Sequence, residues 1–210
     1  MKKEQTDTRS RILDAAENMF AERGFDAVPV REIMVAANAK LGLFSYHFGS
    51  KDNLFEQVIA RRIDVLNDHR RRALADVLDQ ATTSVEDVVR AFVRPYLDLM
   101  TLGGDGWHAY GRLIAQVAQS RKWNPLVHRY FDETATLFVD ALHKQAPSAS
   151  RPTIIRTFVF MVGLMLNVFA SSGRMASLSN GEVDDEALED SYNDLIAFMT
   201  SGISGTLGIR

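Results

Sequence analysis

Cysteine is absent from this chain of 210 residues. That excludes disulfides, thiol catalysis and thiolate metal sites, and it leads to the expectation of a reducing, cytoplasmic setting. Nowhere does a sustained alternation of apolar and polar residues mark a strand, so helices are expected throughout. The basic start Met1-Lys2-Lys3 is followed by no apolar stretch and does not read as a secretory signal; residues 1–7 are expected to form a disordered arm. The longest apolar run, Phe158 to Ala170, contains Gly163 and Asn167. It is shorter than the roughly 20 residues a bilayer requires, so no membrane association is expected. Catalytic signatures are missing as well. The histidines at 47, 69, 108, 128 and 143 form no His-x-x-x-His pair, no serine sits in Gly-x-Ser-x-Gly, and Gly103-Gly104-Asp105-Gly106 lacks the Gly-Lys-Ser/Thr of a phosphate loop. Neither an enzyme nor a metal or cofactor is expected.

What is present is helical periodicity. With 46% hydrophobic residues the chain can bury a substantial core. Ile12, Leu13, Ala16, Met19 and Phe20 form one stripe over Thr8–Gly24, with Gly24 placed to end the helix. Val30, Ile33, Met34 and Ala37 form a second, Asn38 offers the left-handed residue of a tight turn, and Leu41, Phe44 and Phe48 resume the pattern. Two short helices joined by so tight a turn read as a helix-turn-helix covered by the first helix. Ser50 and Asp52 then open a long helix through Leu54, Phe55, Val58, Ile59, Ile63, Leu66, Leu74, Val77 and Leu78. Its Arg70-Arg71-Arg72 run reads as a solvated face. Further helices are expected from Ser84 to the Gly103 turn, and over Trp107–Arg121, Pro125–Gln145, Thr153–Ala176 and Asp184–Ser204. The net charge of −3 is uneven: residues 1–72 carry 13 Lys and Arg against 11 Asp and Glu, and residues 73–210 carry 11 against 16. The basic surplus lies with the helix-turn-helix, which permits contact with nucleic acid.

The order Arg11-Ile12-Leu13-Asp14-Ala15-Ala16, Phe20-Ala21-Glu22-Arg23-Gly24-Phe25, Val30-Arg31-Glu32-Ile33, Ala36-Ala37, Gly42 and Tyr46-His47-Phe48-Gly49-Ser50-Lys51-Asp52-Asn53-Leu54-Phe55 resembles the DNA-binding domain of the TetR family of transcriptional regulators over residues 8–62. The resemblance implies an all-α chain of about nine helices. It also implies a head at 1–55 that binds double-stranded DNA and a body at 56–210 for ligand binding and dimerisation. It places phosphate contacts at Tyr46, His47 and Lys51, whose phenol, imidazole and ammonium can each donate to a phosphate oxygen. Arg31, Lys40, Leu41, Gly42, Leu43 and Ser45 complete the implied DNA surface. Lys40 and Leu41 stand where the family usually has a Ser/Thr cap and a polar residue, Leu43 where Thr is common and Ser45 where Tyr is common. Such a set offers thymine-methyl contact and one hydroxyl; packing of Leu41 or Leu43 into the head is the equal alternative. Pro29, after Val28, suits a first helical position.

In the body, the resemblance implies a pocket for a small hydrophobic or aromatic effector and a dimer built on the last two long helices. Candidate pocket residues are Trp107, His108, Tyr110, Arg112, Ile114, Phe131, Phe138, Phe158, Met161, Met165 and Asn167; His108 and Arg112, four residues apart, can hold a carboxylate or phosphate or equally form a solvated pair with nearby acids. Candidate dimer residues are Phe160, Leu164 and Val168, with Leu188, Tyr192, Leu195, Ile196 and Met199 on the last helix. The expected function is a ligand-responsive repressor; an activator or DNA organiser without a ligand is the alternative.

Overall fold

Local signals in the sequence account for most helix boundaries in the computed structural model, which describes the backbone of residues 2–209 and the side chains of 8–209 except Asp105. Ten α-helices and one 3₁₀ turn are present among the described residues, with no strand. They are α1 (Lys2–Arg23), α2 (Val30–Ala36), α3 (Gly42–His47), α4 (Lys51–Leu78), α5 (Val85–Leu102), α6 (Asp105–Ala118), the 3₁₀ turn Arg121–Trp123, α7 (Asn124–Gln145), α8 (Arg151–Phe169), α9 (Arg174–Leu178) and α10 (Leu188–Leu207).

The caps are chemical. Ser50 Oγ accepts from Asn53 N at 3.1 Å and starts α4. Ser84 and Asp87 cap α5 reciprocally, and the Ser84 hydroxyl and N–H hold the Asp87 carboxyl below its ordinary pKa. Gly24 ends α1 at φ +79°, a conformation in which a β-carbon would be strained. Pro29 occupies the N-cap of α2, not its first helical position, because its ψ of 142° is extended.

Two boundaries differ from expectation, and the arm expected at residues 1–7 lies outside the described side chains. The expected helix over 153–176 breaks at Ser171 (φ 48°) and Gly173 (φ 74°). Its remainder becomes α9, where the buried Asp185 carboxylate accepts from Met175 N and Ala176 N at 3.3 and 2.7 Å. The last helix starts at Leu188 rather than Asp184. α8 is 19 residues long with a mean hydropathy of 1.7, so by length and composition it could cross a membrane, which the apolar run alone did not suggest; one side of it is buried among the other helices.

α4 runs unbroken through the expected boundary at 55/56. Glu17 on α1, 1% exposed, is gripped by Arg61 and by Arg62, whose Nε and Nη2 donate to it at 2.5 and 2.9 Å. Arg62 also lies over the Trp107 ring of α6 at 5.2 Å, and a β-carbon at Gly106 would collide with its guanidinium. Gln116 of α6 donates to Ala21 O at 2.9 Å, and Phe55 stacks on Trp123 with ring centres 4.3 Å apart. The head is therefore bonded to the body by polar and aromatic contacts at once.

Replacing Glu17 by Gln leaves Arg62 without a carboxylate among the described residues and Arg61 with only the exposed Asp14, around a nearly closed site. We expect a stability loss of about 2–4 kcal/mol, read as a lower urea midpoint at unchanged slope; an unshifted midpoint would show that the clamp contributes nothing.

Candidate functional site

The turn between α2 and α3 is fixed from both sides. Asn38 takes φ +49°, Ala39 N donates to Met34 O at 2.9 Å, and Arg11 Nε reaches across from α1 to Ala37 O at 3.1 Å. α3 buries Phe44, and Phe48 follows it inward, so Lys40, Leu41, Gly42, Ser45 and Tyr46 stay exposed. Arg31 on α2 is exposed too. Leu41 makes no side-chain cap, as its chemistry requires. Leu43 is half-buried against the head core, the packing alternative for that residue.

The remaining positions are divided. Tyr46 is 70% exposed, with the His47 ring edge-on at 4.9 Å. His47 is half-buried, and its Nε2 has no protein partner. Lys51 does not stand free: its ammonium lies 4.4 Å from the Phe25 ring centre. Burial lowers its pKa and the Lys122 ammonium adds to this, against the pull of Asp26. Val35, 81% exposed on α2 beside this surface, escaped the sequence reading; the signal was an apolar residue lying off the stripe of Ile33, Met34 and Ala37.

A cavity of about 270 Å³ lies in the body, lined by α4, α5, α6, α7 and α8. Of the expected pocket residues, Ile114, Phe131, Phe158 and Met165 line it. The others do not. Trp107 is buried beneath Arg62, and Tyr110 is fully buried with its hydroxyl donating to Ile59 O at 3.3 Å. His108 lies 4.0 Å from Glu186 and Arg112 is exposed, the solvated alternative for this pair, and neither lines the cavity. Met161 is buried elsewhere in the core and Asn167 is exposed, because α8 turns those positions off the lined face.

The cationic side chain that does line the cavity is Arg70. It is 3% exposed, donates from Nε to Phe92 O at 2.9 Å and from Nη2 to Met165 Sδ at 3.5 Å, and sits 3.7 Å from the Phe92 ring centre. Burial lowers its pKa to about 9, with the Tyr96 and Tyr110 phenols opposing, so it stays charged at neutral pH. The expected solvated triplet is thus split by the 100° helical step: Arg70 falls on the stripe of Leu66 and Leu74, Arg71 pairs with Asp68, and Arg72 is exposed. That i±4 placement was the available signal.

The outer face of the body also differs. Phe160 and Leu164 are exposed at 61% and 37%, and Val168 is half-buried, but Leu188, Tyr192, Leu195, Ile196 and Met199 are all buried within the protomer. Their stripe on α10 packs on α5 and α8 of its own chain. The unpartnered apolar residues of the two helices are Ile155, Val159, Phe160 and Leu164 on α8 and Phe198 on α10.

Comparison with known proteins is consistent across the chain. Residues 12–58 match the model for bacterial regulatory proteins of the tetR family, and residues 90–202 match the tetracyclin repressor-like C-terminal domain. The HTH-type transcriptional repressor KstR2 of Mycolicibacterium smegmatis is 26% identical over 70% of this chain and 69% of its own length. KstR2 of Rhodococcus jostii is 36% identical over 36% of this chain; the match spans only 37% of that repressor. Among solved structures, the fatty acid degradation regulator FadR from Bacillus halodurans superposes with TM-score 0.65 at 15% identity, covering 93% of this chain and 95% of that one. The ketosteroid transcriptional regulator KstR2 of Mycobacterium tuberculosis gives 0.62 at 19%, covering 92% and 93%. Both likenesses concern the fold.

The two sides of α10 should respond oppositely to charge. Leu195→Glu buries a carboxylate in the protomer and should lower stability by more than about 3 kcal/mol in chemical denaturation. Phe198→Glu should leave the protomer folded, with its helical circular dichroism and urea slope intact; equal losses from both would contradict the burial pattern.

Proposed function

The chain belongs to the TetR family of bacterial regulatory proteins, and from that premise we propose that it is a ligand-responsive, DNA-binding repressor, freed from a palindromic operator by a small apolar effector. The observation that carries this reading is the span of α4. Its capped start adjoins α3 at the exposed head surface, its middle lines the cavity, and it is one helix of 28 residues, about 42 Å long. An occupant that favours one tilt of α4 over another changes where α3 points, and it can do so only by binding the two arrangements unequally. The curated relatives are repressors, which supports repression over activation. Family membership also supports a non-enzymatic, cytoplasmic protein.

On the head, Tyr46, His47, Lys40 and Arg31 are our phosphate contacts, with Lys51 joining them once its ammonium swings off Phe25. Base reading falls to Leu41, Gly42 and Ser45, with Leu43 as support because it is half-buried. No arginine is available on α3 for a bidentate guanine contact, so sites with thymine at the contacted steps are favoured. A second copy docks on the outer faces of α8 and α10 through Phe160, Leu164 and Phe198, which sets two heads against half-sites about 35 Å apart.

The test is binding to DNA from the protein's own upstream region, titrated against salt. Tyr46→Phe and His47→Ala should weaken binding to all sequences alike, and Lys51→Ala should lower the salt slope by about one. Leu41→Ala and Ser45→Ala should instead change the preferred base in a randomised-site selection, by about 1–3 kcal/mol per lost contact. If the slope is unchanged and the base preferences stay wild-type, α3 is not the reading element.

A further inference from the structure

Arg70 is a buried cation without a counter-ion. Among the described residues no carboxylate lies within ion-pair reach of it. A guanidinium offers five N–H donors in a planar fork. One of Arg70's goes to a carbonyl and one to a thioether sulfur, a weak acceptor, and among the described residues no other hydrogen bond uses the rest. Taking a lone charge out of water is costly unless something nearby offsets it, and here the Phe92 ring does so only in part. A second polar group beside it is also left over. Asn67, three residues earlier on α4 and 5% exposed, donates Nδ2 to Tyr130 O at 2.8 Å, while its Oδ1 is buried with no partner. Both residues line the same cavity, whose other walls include Leu66, Phe92, Phe158 and Met165. The one acid on its lining, Asp132, is exposed and already paired with His128 at 2.7 Å.

From this juxtaposition we propose that the effector is a monocarboxylate with an apolar body, its carboxylate seated on the Arg70 fork and its hydrocarbon against the aromatic and aliphatic walls. The inference rests on the reading of this cavity as the effector site and adds the chemical class of the occupant. One guanidinium matches one negative charge; a phosphate dianion would bring a second with nothing to meet it. The polar end therefore lies against α4, and the unpartnered Asn67 oxygen favours occupants with a hydroxyl or N–H next to the carboxylate.

Two matched series test this on the full-length protein by calorimetry: octanoate, octan-1-ol and octylamine, and 4-phenylbutyrate, 4-phenylbutan-1-ol and 4-phenylbutylamine. Wild type should bind the carboxylate of at least one series tenfold or more tighter than its alcohol, and the amine weakest. Arg70→Met, which keeps length and removes charge, should bring carboxylate and alcohol within about twofold of each other while still melting cooperatively. Arg70→Lys, which keeps the charge without the fork, should retain a reduced preference, and it decides the matter should Arg70→Met fail to fold. No preference for carboxylate in either series, or a preference that survives Arg70→Met, overturns the inference. DNA release on the same samples separates it from the functional reading: an Arg70-dependent carboxylate that leaves operator affinity unchanged upholds the ligand class and removes the effector role, whereas release by the neutral alcohol alone does the reverse.

Discussion

One carboxylate decides how the two halves of this molecule sit together. Glu17 is almost fully enclosed on α1, yet it faces two arginines that both belong to α4. Arg61 also reaches Asp14 at 2.7 Å, and Arg62 passes over Gly106 to cover Trp107, so the charge network ties α1, α4 and α6 into one joint. Around it, Phe20, Phe25, Phe55 and Trp123 pack edge-on and stacked, giving the joint an apolar flank. The two parts differ in character: ion pairs of this kind are directional and sensitive to small displacements, and aromatic contacts tolerate sliding. A lever as long as α4 needs such a fulcrum if a change among the body helices is to reach α3.

The sequence disclosed what is governed by local chemistry. Asn38 in the turn, Gly24 at the end of α1, Ser50 and Ser84 at helix starts, and the inward Phe44 and Phe48 are decided by backbone sterics and capping, which are legible within a few residues. What it concealed is decided by neighbours distant in the chain. Arg70 reads as one of three solvated arginines until α5 and α8 are laid against α4. The stripe from Leu188 to Met199 is apolar at the right spacing for any partner helix, and periodicity cannot say whether that partner is α5 and α8 of the same chain or a second copy. Lys51 has the charge of a phosphate ligand, but its ammonium lies over a ring from residue 25, which the sequence does not place beside it. In the body, aromatic and methionine content marks apolar walls without distinguishing cavity from solid core, which is why Phe158 and Met165 line the space and Tyr110 and Met161 do not.

α8 serves two surfaces at once. Phe158 and Met165 face the cavity, Phe160 and Leu164 face outward, and Val159 both lines the cavity and is 58% exposed. A helix apolar nearly all round is what that double duty requires, and its hydropathy reflects this arrangement. The single wall between the cavity and the outer face is one helix thick.

The two tryptophans of the chain stand on the same joint, one on each side. Trp107 lies under the Arg62 guanidinium, and Trp123 is stacked on Phe55 with the Lys122 ammonium 4.7 Å from its ring centre. Indole emission responds to the distance and direction of nearby charge and to stacking. Trp107 therefore sees the field of an α4 guanidinium and Trp123 the stacking of an α4 ring, both of which would change if α4 moved against α6 and the 3₁₀ turn, and the protein carries its own optical gauge of that geometry, with no label to attach.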